Sequence, residues 1–341
     1  MNDPLAPRKS IVSRVFAVIP GVTFGVIALI IFFSFMQPRF MSWPNMMLIA
    51  RHSSVLLVAA IGMTMVILVS QIDLSVGSVM SLSGAVAAYA MRAGWGFATA
   101  ILLGLLCGVV VGFLNGIMVA VFKFDYWIAT FGSMGIGAGL ALVVARGETL
   151  AVPAATFGPA FGWIGNARVM LAPRTPLYFL PCIALTLIVI MWLVLRKTKF
   201  GYNIYSIGGS EQAARLSGLK VVRNRIYVYV CSGFFAAIAG LMLASMTNSA
   251  SPIAGNDYSF DVIAAVIIGG TSFDGGRGGL FGTVMGALLV RTLASGLNLM
   301  NILPTWQKTI IGFAIVIIIV ADVLSEKRKH RKELMRRYRD A

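Results

Sequence analysis

Apolar runs long enough to cross a bilayer follow one another from residue 15 to residue 323, and no other feature restricts the fold so severely. A helix needs about 20 apolar residues to cross roughly 30 Å of hydrocarbon. Ten runs are candidates: 15–36, 53–70, 75–91, 98–122, 126–145, 175–195, 225–247, 260–271, 279–298 and 305–323. The third and eighth are short and rich in Gly and Ser, so each reads either as a full crossing or as a broken, re-entrant segment. In hydrocarbon the backbone must satisfy its own polar groups. The expected fold is therefore an all-α integral membrane protein of about ten transmembrane helices.

Composition points the same way. The chain is 58% hydrophobic and only 12% charged, against about a quarter charged for a soluble domain. Cys107, Cys182 and Cys231 each lie inside a run, with no zinc or iron–sulfur spacing, and read as inert apolar fillers. No metal site is expected. The first run follows Arg8, Lys9 and Arg14 and ends in Phe33, Phe35 and Met36. A signal peptide has a shorter apolar region and a small-residue cleavage site, so this run reads as a retained span.

A net charge of +16 on a soluble face would suggest nucleic acid. Here the basic residues crowd into the tails and one loop, which is a signature of topology and not of nucleic-acid binding. With ten spans both ends share a side. Twenty Lys and Arg fall on that side, including eight in the C-tail and seven in 196–225, against seven on the other. The positive-inside rule then puts both termini in the cytoplasm. The chain divides into a cytoplasmic N-tail (1–14), one transmembrane domain (15–324) and a basic cytoplasmic C-tail (325–341).

Two loops are long. Residues 146–174, expected outside, carry turn chemistry at Pro153, Gly158, Pro159, Gly162 and Gly165. Residues 196–224, expected inside, contain a short helix signal. Ser210 can N-cap it and Glu211 suits its positive end. Ala213, Ala214 and Leu216 propagate it, Glu211 and Arg215 can pair at i, i+4, and Gly218, after Ser217, stops it. Such a helix is either a docking surface or a plain amphipathic connector.

Polar residues within spans are costly and point to function. The first cluster is Gln71-Ile-Asp73-Leu-Ser75-Val-Gly-Ser78. Asp73 with Gln71 and Ser75 can line a hydrophilic path, or Asp73 can cap the third helix. The second cluster opens with Ser259-Phe260-Asp261 and runs through Thr271 to Gly279. Its glycines free backbone groups, which are tolerated at membrane depth only inside protein or along a cavity. No Gly-Lys dipeptide occurs, so this is not a phosphate-binding P-loop. Arg291 lies about two turns from the outer end of its span near Asn298 and is expected to snorkel. No chain of acids suggests proton pumping.

With these motifs the chain resembles the permease subunits of bacterial monosaccharide ABC importers of the ribose, xylose and galactose type. QIDLSVGSVMSLSG at 71–84 is similar to the family's G-x-DLSVG stretch, with Gln71 in place of its usual glycine. KTKFGYNIYSIGGSEQAARLSGLKV at 197–221, FDVIAAVIIGGTSFDGGRGGLFGTVMGALLV at 260–290 and SGLNLMNI at 295–302 follow in the family's order. The resemblance covers roughly residues 45–325. It implies a multi-pass protein of the bacterial inner membrane that works as a homodimer or pseudo-dimer. It also implies a cytoplasmic ATPase that binds ATP and Mg, a periplasmic sugar-binding protein, and no cofactor on this chain. Ser210–Gly218 becomes the coupling helix for the ATPase, and Gln71, Asp73, Ser75, Ser78, Asp261, Thr271 and Asn298 become candidates for the translocation path. Related permeases carry branched-chain amino acids or nucleosides, and an ion-coupled secondary transporter is a rival from another class. Spans 2–5 and 7–10, each with a short polar second member, are expected to form an inverted repeat.

Overall fold

Between helices surrounded by lipid there is no hydrophobic driving force, so close packing relies on small residues and interhelical hydrogen bonds. The computed structural model, which describes residues 21–320 apart from 154, 174, 304, 314, 315, 318 and 319, follows that rule throughout. The first helices in chain order are α1 (Val22–Met36), α2 (Trp43–Leu68), α3 (Val76–Arg92), α4 (Phe97–Ala120) and α5 (Tyr126–Ala145). After a short α6 (Gly158–Asn166) come α7 (Leu180–Lys197), the connectors α8 (Lys199–Gly209) and α9 (Glu211–Leu216), then α10 (Val221–Thr247), α11 (Tyr258–Ile268) and α12 (Leu280–Leu299). Residues 305–313 are helical again. The basic tails lie outside the described residues.

Among the described residues, six helices are long and apolar enough to cross a membrane: α2, α4, α5, α7, α10 and α12. At about 1.5 Å per residue, the eleven residues of α11 reach only roughly half of the hydrocarbon thickness.

The bundle is built around α2 and α10, which cross each other at its centre. From Ser53 to Leu68 α2 is buried on every side. α3 and α4 pack on α10, while α11 and α12 pack on α2. Glycine sets the crossing distances. A Cβ built on Gly108 of α4 would stand 2.2 Å from the Gly233 carbonyl oxygen, and one on Gly233 would stand 2.0 Å from the Gly108 oxygen. Gly104, Gly112 and Gly116 extend this inward stripe along α4. The bulky Leu102, Leu106, Phe113 and Leu114 face outward. α1 packs on α12, where the buried Phe33 ring fills the space over Gly296.

Three boundaries differ from the sequence expectation. α2 begins ten residues early, at Trp43, because its polar first turns find partners far along the chain. Asn45 accepts from Ser295 (3.0 Å), and Arg51 Nε donates to the Gly165 carbonyl (2.9 Å). α10 begins at Val221 and takes Arg223 and Arg225 into the helix. The span expected at 175–195 starts only at Leu180, because Pro176–Tyr178 forms a strand against Arg168–Met170.

The segment 146–174 is more ordered than its turn residues suggest. Leu150–Ala151 pairs antiparallel with Ser249–Ala250. α6 forms across Gly162 and Gly165, whose bare backbones lie against Asn248 and Met246 at the end of α10. Packing overrides local propensity there.

Candidate functional site

Residues 70–75 are not helical, and they bring the first polar cluster into the bundle as an irregular connection between α2 and α3. Asp73 is 1% exposed. Its Oδ1 accepts from the Ser75 backbone N–H (3.0 Å) and the Ser75 hydroxyl (2.6 Å), and its Oδ2 accepts from Ser232 Oγ of α10 (2.8 Å). The first two bonds make a local turn before α3, since Asp and Asn side chains readily bond the backbone two residues on. Ser75, not Asp73, is the N-cap residue, and Ser75 makes no side-chain capping bond. Asp73 therefore acts two residues before the cap, and also across to α10.

The network continues. Asn115 Nδ2 of α4 donates to Ser75 Oγ (2.9 Å), and Ser133 Oγ of α5 donates to Asn115 Oδ1 (2.5 Å). Ser78 Oγ donates to the Ser75 carbonyl (2.8 Å). On the far side of α3, Gly77 N–H donates to Ser259 Oγ of α11 (3.0 Å), and Gly255 N–H donates to Ser81 Oγ (2.9 Å). One buried carboxylate thus anchors a network that joins α3, α4, α5 and α10. Buried polar groups are stabilising only when their partners are present, and here each Asp73 oxygen has one.

The remaining path candidates sit elsewhere. Gln71 and Thr271 are buried at 7% and 2% exposure, and Gln71 Oε1 and Thr271 Oγ1 lack a hydrogen-bond partner among the described residues. Asn298 is exposed near the end of α12. Asp261 is also apart from the Asp73 network. Its Oδ2 lies 3.3 Å from Arg291 Nη2, and the Arg291 guanidinium lies 4.8 Å from the centre of the Tyr258 ring. The snorkelling expected of Arg291 is thereby corrected. α11 offers it a carboxylate and an aromatic face, so the charge is met inside the bundle.

The glycine-rich segment 269–279 folds over the end of α2. Gly270, Gly275, Gly276 and Gly278 all have positive φ, which an L side chain resists. Gly276 N–H donates to the Leu68 carbonyl (3.0 Å), and Ser70 Oγ donates to the Asp274 carbonyl (2.6 Å). α8 closes on the same spot. Tyr205 OH donates to the Gly278 carbonyl (3.0 Å), and a Cβ on Gly208 would stand 1.8 Å from the Leu68 oxygen.

α9 follows directly. Ser210 Oγ accepts from Ala213 N–H (3.2 Å) at its start. At its end Ser217 is the C-cap, Gly218 has φ +77°, and the bonds Leu219 N–H to Ala214 O and Gly218 N–H to Arg215 O close a Schellman motif. Glu211 Oε1 accepts from Arg215 Nε (2.9 Å) and Nη2 (2.5 Å), and Oε2 accepts from Arg225 of α10. Burial pushes the Glu211 carboxyl up, but the bonds and charges of Arg215 and Arg225 outweigh it and hold it below the ordinary carboxylate range. A depressed carboxylate stabilises the fold above its unfolded-state pKa and loses that contribution as the pH falls through the folded value. This linkage is thus complete at neutral pH and lost only in acid. The apolar residues that propagate α9 are divided between inside and outside. Ala214 is 3% exposed and packs against the chain itself, while Leu216 is 84% exposed.

Comparison with known proteins decides the family. The branched-chain amino acid transport system / permease component family matches residues 45–320. The chain belongs to this permease family. The permease is 38% identical over 303 residues to the ribose import permease protein of Bacillus subtilis, covering 89% of this chain and 92% of that one. It is 36% identical over 298 residues to the ribose import permease protein of Escherichia coli K12 (87% and 91% covered). It is 33% identical over 309 residues to the D-allose transport system permease protein of the same organism (89% and 92% covered). No solved structure matches the chain. With its apolar helices, the permease is a multi-pass protein of the inner membrane.

Asn115, Ser133 and Ser232 escape a sequence reading built on charge, whereas Ser259 belongs to the second polar cluster. The available signal was an asparagine five residues from the end of a span otherwise almost wholly apolar.

Proposed function

We propose that this permease forms the translocation path of an ATP-binding-cassette importer for a small sugar, delivered to its outer face by a periplasmic binding protein. The observation that carries the reading is likeness over about nine-tenths of both chains to permeases named for ribose and D-allose. In this reading the chain has ten spans, both termini are cytoplasmic, and two copies enclose the path. A cytoplasmic partner holds ATP and Mg and hydrolyses the nucleotide, while this chain binds no cofactor.

The Asp73 network has its oxygens committed and serves to hold α3 in place. Gln71 and Thr271, whose buried oxygens lack a hydrogen-bond partner among the described residues, are the better candidates to face the solute. Packing supports the inverted repeat. α2 lies against α12 as α10 lies against α4, and α2 lies against α11 as α10 lies against α3. Superposing spans 2–5 on 7–10 in an experimental structure tests this, and failure to overlay would end it.

Residues 210–218 dock on the ATPase. A helix of six residues is too short to persist alone, and it presents Leu216 to the outside. Leu216→Asp is expected to insert and melt like the wild type, to lose most co-purifying ATPase and to lose uptake. Unchanged co-purification would refute docking. Ala214→Glu cannot serve for this purpose, because Ala214 is packed internally and the variant would disturb α9 itself.

The substrate class is tested by reconstituting the permease with its ATPase and binding protein in proteoliposomes. ATP-dependent accumulation of ribose or allose is expected. The family's own description favours a second reading, a branched-chain amino acid, and leucine uptake in the same assay without sugar uptake would establish it. Uptake driven by an ion gradient without ATP would instead make the protein a secondary transporter.

A further inference from the structure

We infer that Arg225 is a positioning residue that transmits movement of α9 to the polar network around Asp73; this rests on the reading of α9 as the docking helix. The inference begins with how α9 is held. Both carboxylate oxygens of Glu211 are engaged, Oε1 by Arg215 within α9 and Oε2 by Arg225 outside it. The Arg215 bonds only stiffen the short helix. The Arg225 bond ties it to a membrane-spanning helix.

Arg225 differs from a surface partner. Its side chain is 17% exposed, against 50% for Arg215, and its Nε is buried without a hydrogen-bond partner among the described residues. A partly desolvated guanidinium held on one side depends on the carboxylate it has, because losing it would leave a charge away from water. Surface ion pairs carry no such penalty and contribute little.

The same face of α10 leads to the carboxylate network. Arg225, Tyr229 and Ser232 are spaced by four and three residues, so they share one side of the helix. Ser232 Oγ donates to Asp73 Oδ2 (2.8 Å). At this level α10 also touches α2, where a Cβ on Gly62 would stand 2.7 Å from Ser232 Cα. The seven residues from Arg225 to Ser232 span about 10 Å of continuous helix. A shift of α9 that pulls Glu211 therefore displaces a stiff element whose other end grips Asp73.

Tyr229 lies between the two. It is fully buried, and its hydroxyl has no hydrogen-bond partner among the described residues. An orphaned phenol is costly to bury, so α10 is an element in which a displacement that brings this hydroxyl a partner offsets part of its own cost. Coupling between separated sites needs such an element, with an equilibrium that both ends bias.

The experiment uses the full complex with its ATPase and binding protein in proteoliposomes. Arg225→Gln keeps length and hydrogen-bonding groups and removes the charge. It is expected to retain ATPase co-purification and basal hydrolysis, while stimulation by the loaded binding protein and uptake both fall about tenfold. Arg225→Lys is expected to keep a substantial part of both. Glu211→Arg combined with Arg225→Glu restores an ion pair of reversed polarity and should recover stimulation relative to Arg225→Gln. Wild-type stimulation in Arg225→Gln overturns the proposal. Loss of co-purification in Arg225→Gln overturns it as well, since Arg225 would then merely hold α9 in place. The docking reading fails separately, through normal co-purification in Leu216→Asp.

Discussion

Asp73→Leu is expected to abolish uptake and to destabilise the permease by about 3–5 kcal/mol, the usual cost of stranding partners around a lost buried charge. Three donors converge on this carboxylate, from Ser75 N–H, Ser75 Oγ and Ser232 Oγ. Leucine accepts none of them, and the loss spreads because Ser75 Oγ also receives Asn115. Asp73→Asn separates charge from hydrogen bonding. Its Oδ1 can still accept both Ser75 donors, and its amide can donate to Ser232 Oγ once that hydroxyl turns. This variant should melt near the wild type and keep measurable uptake. Thermal unfolding of the detergent-solubilised protein, followed by size-exclusion chromatography, reads the stability arm. If Asp73→Leu melts with the wild type, the carboxylate does not anchor α3.

The second large effect is steric. Gly108→Ala puts a methyl group 2.2 Å from the Gly233 carbonyl oxygen and 2.6 Å from the Ala237 Cβ. Neither backbone can yield without separating α4 from α10. A loss of about 3 kcal/mol is expected, at the upper end of ordinary overpacking, with reduced accumulation in the membrane. Gly132→Ala is the control. On α5 its Cβ meets nothing within 4 Å, and alanine favours a helix over glycine by about 1 kcal/mol in water. That variant should be neutral or slightly stabilised. Equal behaviour of the two would mean that backbone contact does not set the α4–α10 spacing.

These two sites differ in how far the sequence announces them. Asp73 stands out because an acid between two apolar runs needs a reason, yet its partner Ser232 lies 159 residues away and is itself an uncharged residue in an apolar stretch. Gly108 is one of 36 glycines. Nothing local separates it from Gly132, since the difference is only what stands opposite. Arg291 teaches the same lesson from the other side. Its distance from a span end suggested an escape to water, but Asp261, thirty residues earlier, faces it across two helices.

What the sequence determined by itself was local. Each long apolar run must close its own hydrogen bonds in hydrocarbon, so the spans could be read without knowing their neighbours. α9 was equally legible, because Ser210, Glu211, Arg215 and Gly218 bond within one short segment. Tertiary structure alone decided which side of each helix meets another. It started α2 at Trp43 by supplying Arg51 with Gly165, and turned Ala214 inward and Leu216 outward. It also joined Asn115, Ser133 and Ser232 to Asp73. In a bundle whose surfaces are apolar inside and out, hydrophobicity cannot tell a core face from a lipid face. That choice falls to glycine contacts and uncharged hydrogen bonds between residues far apart in the chain.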